Sequence, residues 1–323
     1  MSSLPSVPSA RTEVLLAAML CGLAVAVLAL FPAALPLAVP LLAIPAVRVA
    51  HRLGAPAALV VAVAGALAAA GLGASAAGPF GALTVGALAF LAIALPCAAA
   101  AWIRRGADPS AALLALAVAG VVGVAAAALL PPGRYAEVTA EVARLFDQSL
   151  TPGTLEKYRA AGMKESEVEQ ARRVLELLRA FFVGAWPGFL SGVWVLGAAV
   201  ATYAGARTAR PAPSAEITRF ERLQLPAACA LLFVLAGAAA ALRPGPARLV
   251  AGNLLPPLAA LYFLAGLSII CGFARRWFRV AALRAGLYLL ASYPPMCLAV
   301  TLLGLFDWYA DFRKIGEGAS KAS

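Results

Sequence analysis

Long stretches without a charged residue alternate with short basic clusters along this chain. No charge occurs between Glu13 and Arg48, between Arg52 and Arg104, or between Arg179 and Arg207. Uncharged apolar runs of 18 or more residues are membrane-helix candidates. The pattern predicts nine apolar spans, at 14–31, 33–47, 55–73, 80–103, 110–130, 181–204, 225–242, 249–273 and 285–306. The second is short, about 22 Å of helix against about 30 Å of hydrocarbon, and it carries Pro36, Pro40 and Pro45. It reads as a span or as a broken, re-entrant segment packed against protein, so eight full spans is the alternative count. Arg11 ahead of an apolar run resembles a signal peptide, but the apolar character continues, which favours a retained first helix. The expected fold class is an all-α, polytopic transmembrane helical bundle.

One extended polar region interrupts the apolar pattern, residues 131–180, and divides the chain into a membrane half at 1–130 and another at 181–314, with a disordered tail at 315–323. Within it Val138, Val142, Leu145 and Phe146 recur at helical spacing, as do Val168, Ala171, Leu175 and Leu178,. Ser166 with Glu169 reads as a capping box, Glu169 with Arg173 as an i, i+4 ion pair, and Thr151-Pro152-Gly153 as a break. The pattern is an amphipathic helical hairpin, either lying on the membrane surface or acting as a lid over a cavity.

Composition agrees with the pattern: 63% of the 323 residues are apolar and 13% charged, against about 25% charged in soluble domains. One large soluble domain is excluded. The net charge of +11 does not form a single stripe, which argues against a nucleic-acid partner. The basic residues instead flank spans. With the N-terminus inside, the cytoplasmic segments carry thirteen of them, including Arg11, Arg48, Arg52, Arg104, Arg105, the group from Arg207 to Arg222 and that from Arg275 to Arg284, against four acids. By raw count the two sides tie, but the short loops, where the rule is strongest, favour this orientation.

Candidate chemistry is sparse. The five cysteines lie inside apolar runs with no CxxC pair, His51 is the one histidine, and no GxxxxGK[ST] occurs. A zinc motif of the HExxH type, a Ser-His-Asp triad and a P-loop are therefore absent, and no cofactor is implied. The span centres hold no ionisable residue, unlike those of most pumps. Asp307 and Asp311, after Gly304, share a helical face. That run resembles the end of the metal-binding motif of CDP-alcohol phosphatidyltransferases, but the upstream pairs of that motif are missing. The residues read better as an interfacial helix end, with Trp308 and Tyr309 in the aromatic belt and Arg313 and Lys314 beside the acids. Asn253 with Pro256 and Pro257 marks a polar, breakable helix start, and Tyr293-Pro294-Pro295 interrupts the last span. Gly184, Gly188 and Gly192 make two GxxxG steps, a close-packing face.

Arg219-Phe220-Glu221-Arg222 with Leu225-Pro226, then Asn253-Leu254-Leu255, Tyr262-Phe263 with Gly266-Leu267, and the closing Gly304-Leu305-Phe306-Asp307 with Asp311-Phe312-Arg313 resemble the YybS-like predicted membrane proteins. The resemblance covers residues 215–314 and implies a multi-pass protein of the bacterial cytoplasmic membrane. Pro36 to Pro45, Gly54 and the Ala/Gly-rich span after it are similar to the start of the S components of energy-coupling-factor transporters. That likeness implies a six-helix, solute-binding membrane protein that borrows an ATPase module.

Three functions follow as expectations. The first is a small-solute-binding or transport-related protein, not itself an enzyme, contacting the bilayer and an energising module. The second is a membrane scaffold or assembly factor acting through helix contacts with another membrane protein. The third is a metal-dependent lipid enzyme using Asp307 and Asp311.

Overall fold

The computed structural model describes residues 9–30, 35–129, 134–149, 151–209, 220–241, 245–310 and 312. Eleven α-helices, one 3-10 turn (Phe220–Arg222) and no strand occur among the described residues. Among the described residues five stretches are long and apolar enough to cross a bilayer, or six if one bent helix pair is counted as a single span. Asp311, Arg313 and the tail 315–323 lie outside the described residues. The chain divides into two compact units, one of residues 1–118, 193–225 and 261–323, the other of 119–192 and 226–260.

The first unit begins with α1 (Ala10–Leu30) and α2 (Leu35–Leu53). The helix α2 runs unbroken through Pro36, Pro40 and Pro45, so the expected break is not there. At 1.5 Å per residue its 19 residues reach about 28 Å,. Glu13 at the start of α1 pairs with Arg52 (2.8 Å) and Arg48 (3.5 Å) near the end of α2. The two helices therefore run in opposite directions, with the charges at one end.

Residues 55–104 are helical throughout as α3 (Ala55–Arg104), yet they reverse direction. In a straight helix Ala70 and Gly86 would stand about 24 Å apart. Instead a Cβ on Gly86 would sit 3.0 Å from that of Ala70 and 3.3 Å from the Ala66 carbonyl. Gly78, with φ of 66°, lies between the two apolar stretches Ala55–Ser75 and Val85–Arg104, so the expected spans 55–73 and 80–103 form a hairpin. Cys21, Val47, Val61 and Ile93, all fully buried, are at the core of α1–α3.

Arg104 at the end of this hairpin donates to the His51 carbonyl (3.3 Å). Ser110 near the start of α4 (Pro109–Leu129) accepts the Gln224 N–H (3.2 Å), Ser268 donates to the Leu223 carbonyl, and Arg275 pairs with Glu221. Segments assigned to one side of the membrane on charge thus meet at one end of this unit. At this end neither ring nitrogen of His51 has a hydrogen-bond partner among the described residues. Burial, then the Arg104 charge, holds the His51 pKa below the ordinary histidine value.

The last expected span, 285–306, is not straight. It is divided into α10 (Ala281–Ala291) and α11 (Pro294–Ala310), bent by 95° across Ser292 and Tyr293. Pro294 and Pro295 cannot continue the hydrogen-bond ladder of α10, which is a sufficient cause. The α9 helix (Pro246–Trp277) packs against α11 through paired glycines: a Cβ on Gly266 would strike the Val300 carbonyl, and one on Gly304 the Tyr262 carbonyl. Asp307 is on the same stripe as Val300 and Gly304 and is only 2% exposed, whereas Trp308 and Tyr309 are exposed. The interfacial reading named the end of this helix but not which way Asp307 faces. Its carboxylate faces protein, because i, i+4 and i+7 positions share a helical face.

In the second unit, α5 (Arg134–Ser149), α6 (Pro152–Ala160) and the start of α7 (Glu165–Thr208) replace the expected two-helix hairpin with three helices. Thr151 precedes α6, so Pro152 and Gly153 open a helix as well as ending the previous one,. The cap of α7 is also shifted: Glu167 accepts the Lys164 N–H (2.8 Å), while Glu169 pairs with Arg173 (3.3 Å) as expected. Between α7 and α9 lies α8 (Ala227–Ala240), whose 14 residues make about 21 Å, less than the bilayer core,.

A broken helix held open by one asparagine

The GxxxG face of α7 meets α9 inside the second unit. A Cβ on Gly188 would lie 2.6 Å from Asn253 Cα, and one on Gly192 would lie 3.1 Å from the Pro256 carbonyl oxygen. Only glycine permits backbones this close, which is the packing role expected of the motif. Its partner is α9 of the same chain.

At this contact α7 is broken. Pro187 lacks an N–H and its ring clashes with the preceding turn, and Ala185 leaves helical geometry with φ of −117° and ψ of 15°. In an unbroken helix the Gly188 N–H would bond the Gly184 carbonyl. Here the Asn253 side chain stands between them. Its Oδ1 accepts the Gly188 N–H (2.9 Å), and its Nδ2 donates to the Gly184 carbonyl (3.2 Å). The second Nδ2 hydrogen goes to the Leu249 carbonyl one turn back in α9 (2.9 Å). Only one orientation of the amide satisfies all three bonds, since two partners are acceptors and one a donor. Side-chain insertion into the ladder and an adjacent proline are both established causes of a kink.

Asn253 is therefore not at a helix start. It is in the eighth position of α9, which continues through Pro256 and Pro257 to Trp277. Those prolines supply no N–H to the carbonyls of Gly252 and Asn253, so this turn of α9 has two carbonyls outside the helical ladder.

The break opens on a cavity of about 380 Å³, lined by Ala180, Phe181, Gly184, Ala185, Ala240, Gly245, Arg248, Leu249 and Gly252. The walls are largely apolar. Arg248 is the charged residue of this lining, and no ion-pair partner of Arg248 occurs among the described residues. A Cβ on Gly184 would meet nothing within 4 Å, so that glycine is a place where the cavity can be filled without moving the backbone.

The α5 helix braces the same break. Asp147 accepts a bidentate pair from Arg179 (2.7 and 3.2 Å), and Thr139 Oγ1 accepts from Trp186 Nε1 (3.0 Å). Tyr135 lies against the Trp186 ring, and Phe146 and Phe189 both lie against Phe182, the latter pair with centroids 4.0 Å apart. The Arg179 guanidinium is held above its ordinary pKa by the hydrogen bonds it donates to Asp147.

Of the residues singled out in the sequence, Asn253, Gly184, Gly188 and Gly192 converge here, although 65 positions separate Gly188 from Asn253. Asp307 belongs to the other unit, and Asp311 and Arg313 lie outside the described residues. Among the described residues no group of three or more His, Cys, Asp and Glu side chains has the arrangement of a metal site. Arg248, Pro187 and the Thr139–Trp186 bond were not anticipated. Pro187, between two glycines of the packing face, was the readable signal.

No curated protein and no solved structure matches the chain. A family model does, from residue 16 to residue 308, which extends the likeness seen in 215–314 across both membrane halves. The chain, a multi-pass helical membrane protein, belongs to the DUF2232 family of predicted membrane proteins.

Proposed function

We propose that this protein binds a small solute in the cavity beside the α7 break and serves transport without an energy source of its own. The observation that carries the reading is that the cavity wall is the break itself. Gly184 and Ala185, whose backbone leaves the helical ladder, line the cavity together with Arg248. Interrupted membrane helices place such backbone groups and helix ends at solute sites in transporters. A volume of about 380 Å³ lies within the range of small-ligand sites,. The Arg248 charge favours a solute with an anionic group.

On this reading the protein acts by binding and not by catalysis, sits in the bacterial cytoplasmic membrane with its N-terminus inside, and works with a separate ATPase module. The chain has no GxxxxGK[ST] run and no ionisable residue at the centres of its expected spans, which favours an energy source outside the chain. Affinity purification tests it: an ATPase partner and a retained small molecule, seen by mass spectrometry, are expected. Neither appearing would refute the reading.

A second reading, a membrane scaffold, draws on a stripe of α7 at Val174, Leu177, Leu178 and Phe181. These residues are exposed at helical spacing, Leu177 by 71%. Deleting 131–180 would then abolish association with a membrane partner while leaving solute retention aside.

A further inference from the structure

We propose that residues 276–284 and α10 form a docking surface for the headgroups of anionic phospholipids. Gly266 faces Val300 and Gly304 faces Tyr262, so α9 and α11 are antiparallel, and the first residue of α11, Pro294, lies level with the last turns of α9. Both helices thus end on one face of the membrane. The 11 residues of α10 connect them at 95° to α11. The α9 helix is long and apolar enough to cross the bilayer, so a helix at 95° to its antiparallel neighbour α11, at the level where α9 ends, lies along the membrane surface. Its length of about 17 Å could not cross in any case.

The side chains suit that depth. Trp277 is 77% exposed, and Leu283 and Leu289 of α10 are exposed as well. Aromatic and aliphatic groups of this kind bury in the acyl boundary while basic residues stay among the headgroups.

The charge chooses the lipid. No acidic residue occurs between Glu221 and Asp307. Arg275 is taken by Glu221, and Arg276, Arg279 and Arg284 have no ion-pair partner among the described residues. Three unneutralised guanidiniums within nine residues, on a surface-lying element, need counter-charge from outside the chain. An anionic headgroup supplies it in bidentate form, whereas a zwitterionic phosphatidylcholine surface offers no net charge.

The test uses the full-length protein in nanodiscs of equal phosphatidylglycerol and phosphatidylcholine, with retained lipid read by native mass spectrometry. Wild type should enrich phosphatidylglycerol. The triple variant Arg276→Gln, Arg279→Gln, Arg284→Gln should lose that enrichment, by about fivefold per arginine at low salt. The corresponding triple Lys variant keeps the charge and should keep most of the preference, which separates electrostatics from misfolding. Arg173→Gln, at a guanidinium already paired with Glu169, should leave the preference unchanged. Gln and wild-type proteins with the same lipid ratio would overturn the proposal. So would a Lys variant as defective as the Gln variant, or phosphatidylglycerol enrichment lost equally in Arg173→Gln.

Discussion

Replacing Asn253 with alanine should cost far more than removing one half-buried side chain normally does. The amide makes three hydrogen bonds, two of them to backbone groups that the α7 break has separated. Truncation leaves the Gly188 N–H and the Gly184 carbonyl without partners, at about 1–3 kcal/mol for each orphaned group. The Gly184 carbonyl borders the cavity, where water can reach it, so the net loss should be about 2–4 kcal/mol. Asn253→Asp keeps an acceptor for Gly188 but sets a carboxylate against two carbonyl oxygens, and should be at least as damaging. The sharper test is a double-mutant cycle with Pro187→Ala. That change restores an N–H at 187 and lets α7 close its own ladder, so Gly184 and Gly188 can bond to each other. In that background Asn253→Ala should cost under about 1 kcal/mol, giving a coupling energy of about 1 kcal/mol or more. Unfolding in micelles, followed by far-ultraviolet circular dichroism, measures all four proteins. A cost for Asn253→Ala below about 0.5 kcal/mol, or an equal cost in both backgrounds, would refute the ladder-replacement argument.

Three further outcomes are expected. Gly304→Ala pushes a methyl into the Tyr262 carbonyl and should lower stability by about 1–3 kcal/mol, read as a shift in thermal midpoint; an unchanged midpoint contradicts the close α9–α11 contact. Glu13→Gln should destabilise by about 1–3 kcal/mol, since it leaves Arg52 without its carboxylate at a largely buried site,; equal stability in denaturant titration would show the pair to be idle. His51 titrates at a lower pH in the folded protein than in the unfolded chain. Protons therefore bind the unfolded state preferentially, and stability should be flat above about pH 6.5 and fall as pH drops below it. A His51→Asn variant should show a weaker acid loss in midpoint measurements across pH 5 to 8, and an identical profile would remove His51 as the cause.

The apolar runs made the helices legible because lipid demands long uncharged stretches whatever their packing. The hairpin of α3 was readable as two spans for that reason, since each half is long and apolar. Hydropathy could not show that α2 continues through three prolines or that α11 turns away from α10 at two. A proline in a membrane helix is tolerated or disruptive according to what its neighbours supply. The glycine face of α7 was equally plain, but its partner was not: the Asn253 amide matters only once Pro187 has opened the ladder and α9 has been brought alongside. The facing of Asp307 was not readable, because one-dimensional hydropathy marks only where a span meets its first charge, while the 300, 304 and 307 stripe turns that charge toward protein.

Solute retention in a cavity-filled variant tests the central claim most directly. Gly184→Leu extends into the cavity from a position with no atom within 4 Å of its Cβ, and Gly184 makes its contact to Asn253 through backbone that the change leaves in place. Wild type and Gly184→Leu, purified in parallel from the same membranes with matched thermal midpoints, should differ in one respect: the small molecule seen by mass spectrometry in the first should be absent from the second. The same molecule retained in equal amount by both would contradict a binding site at the α7 break.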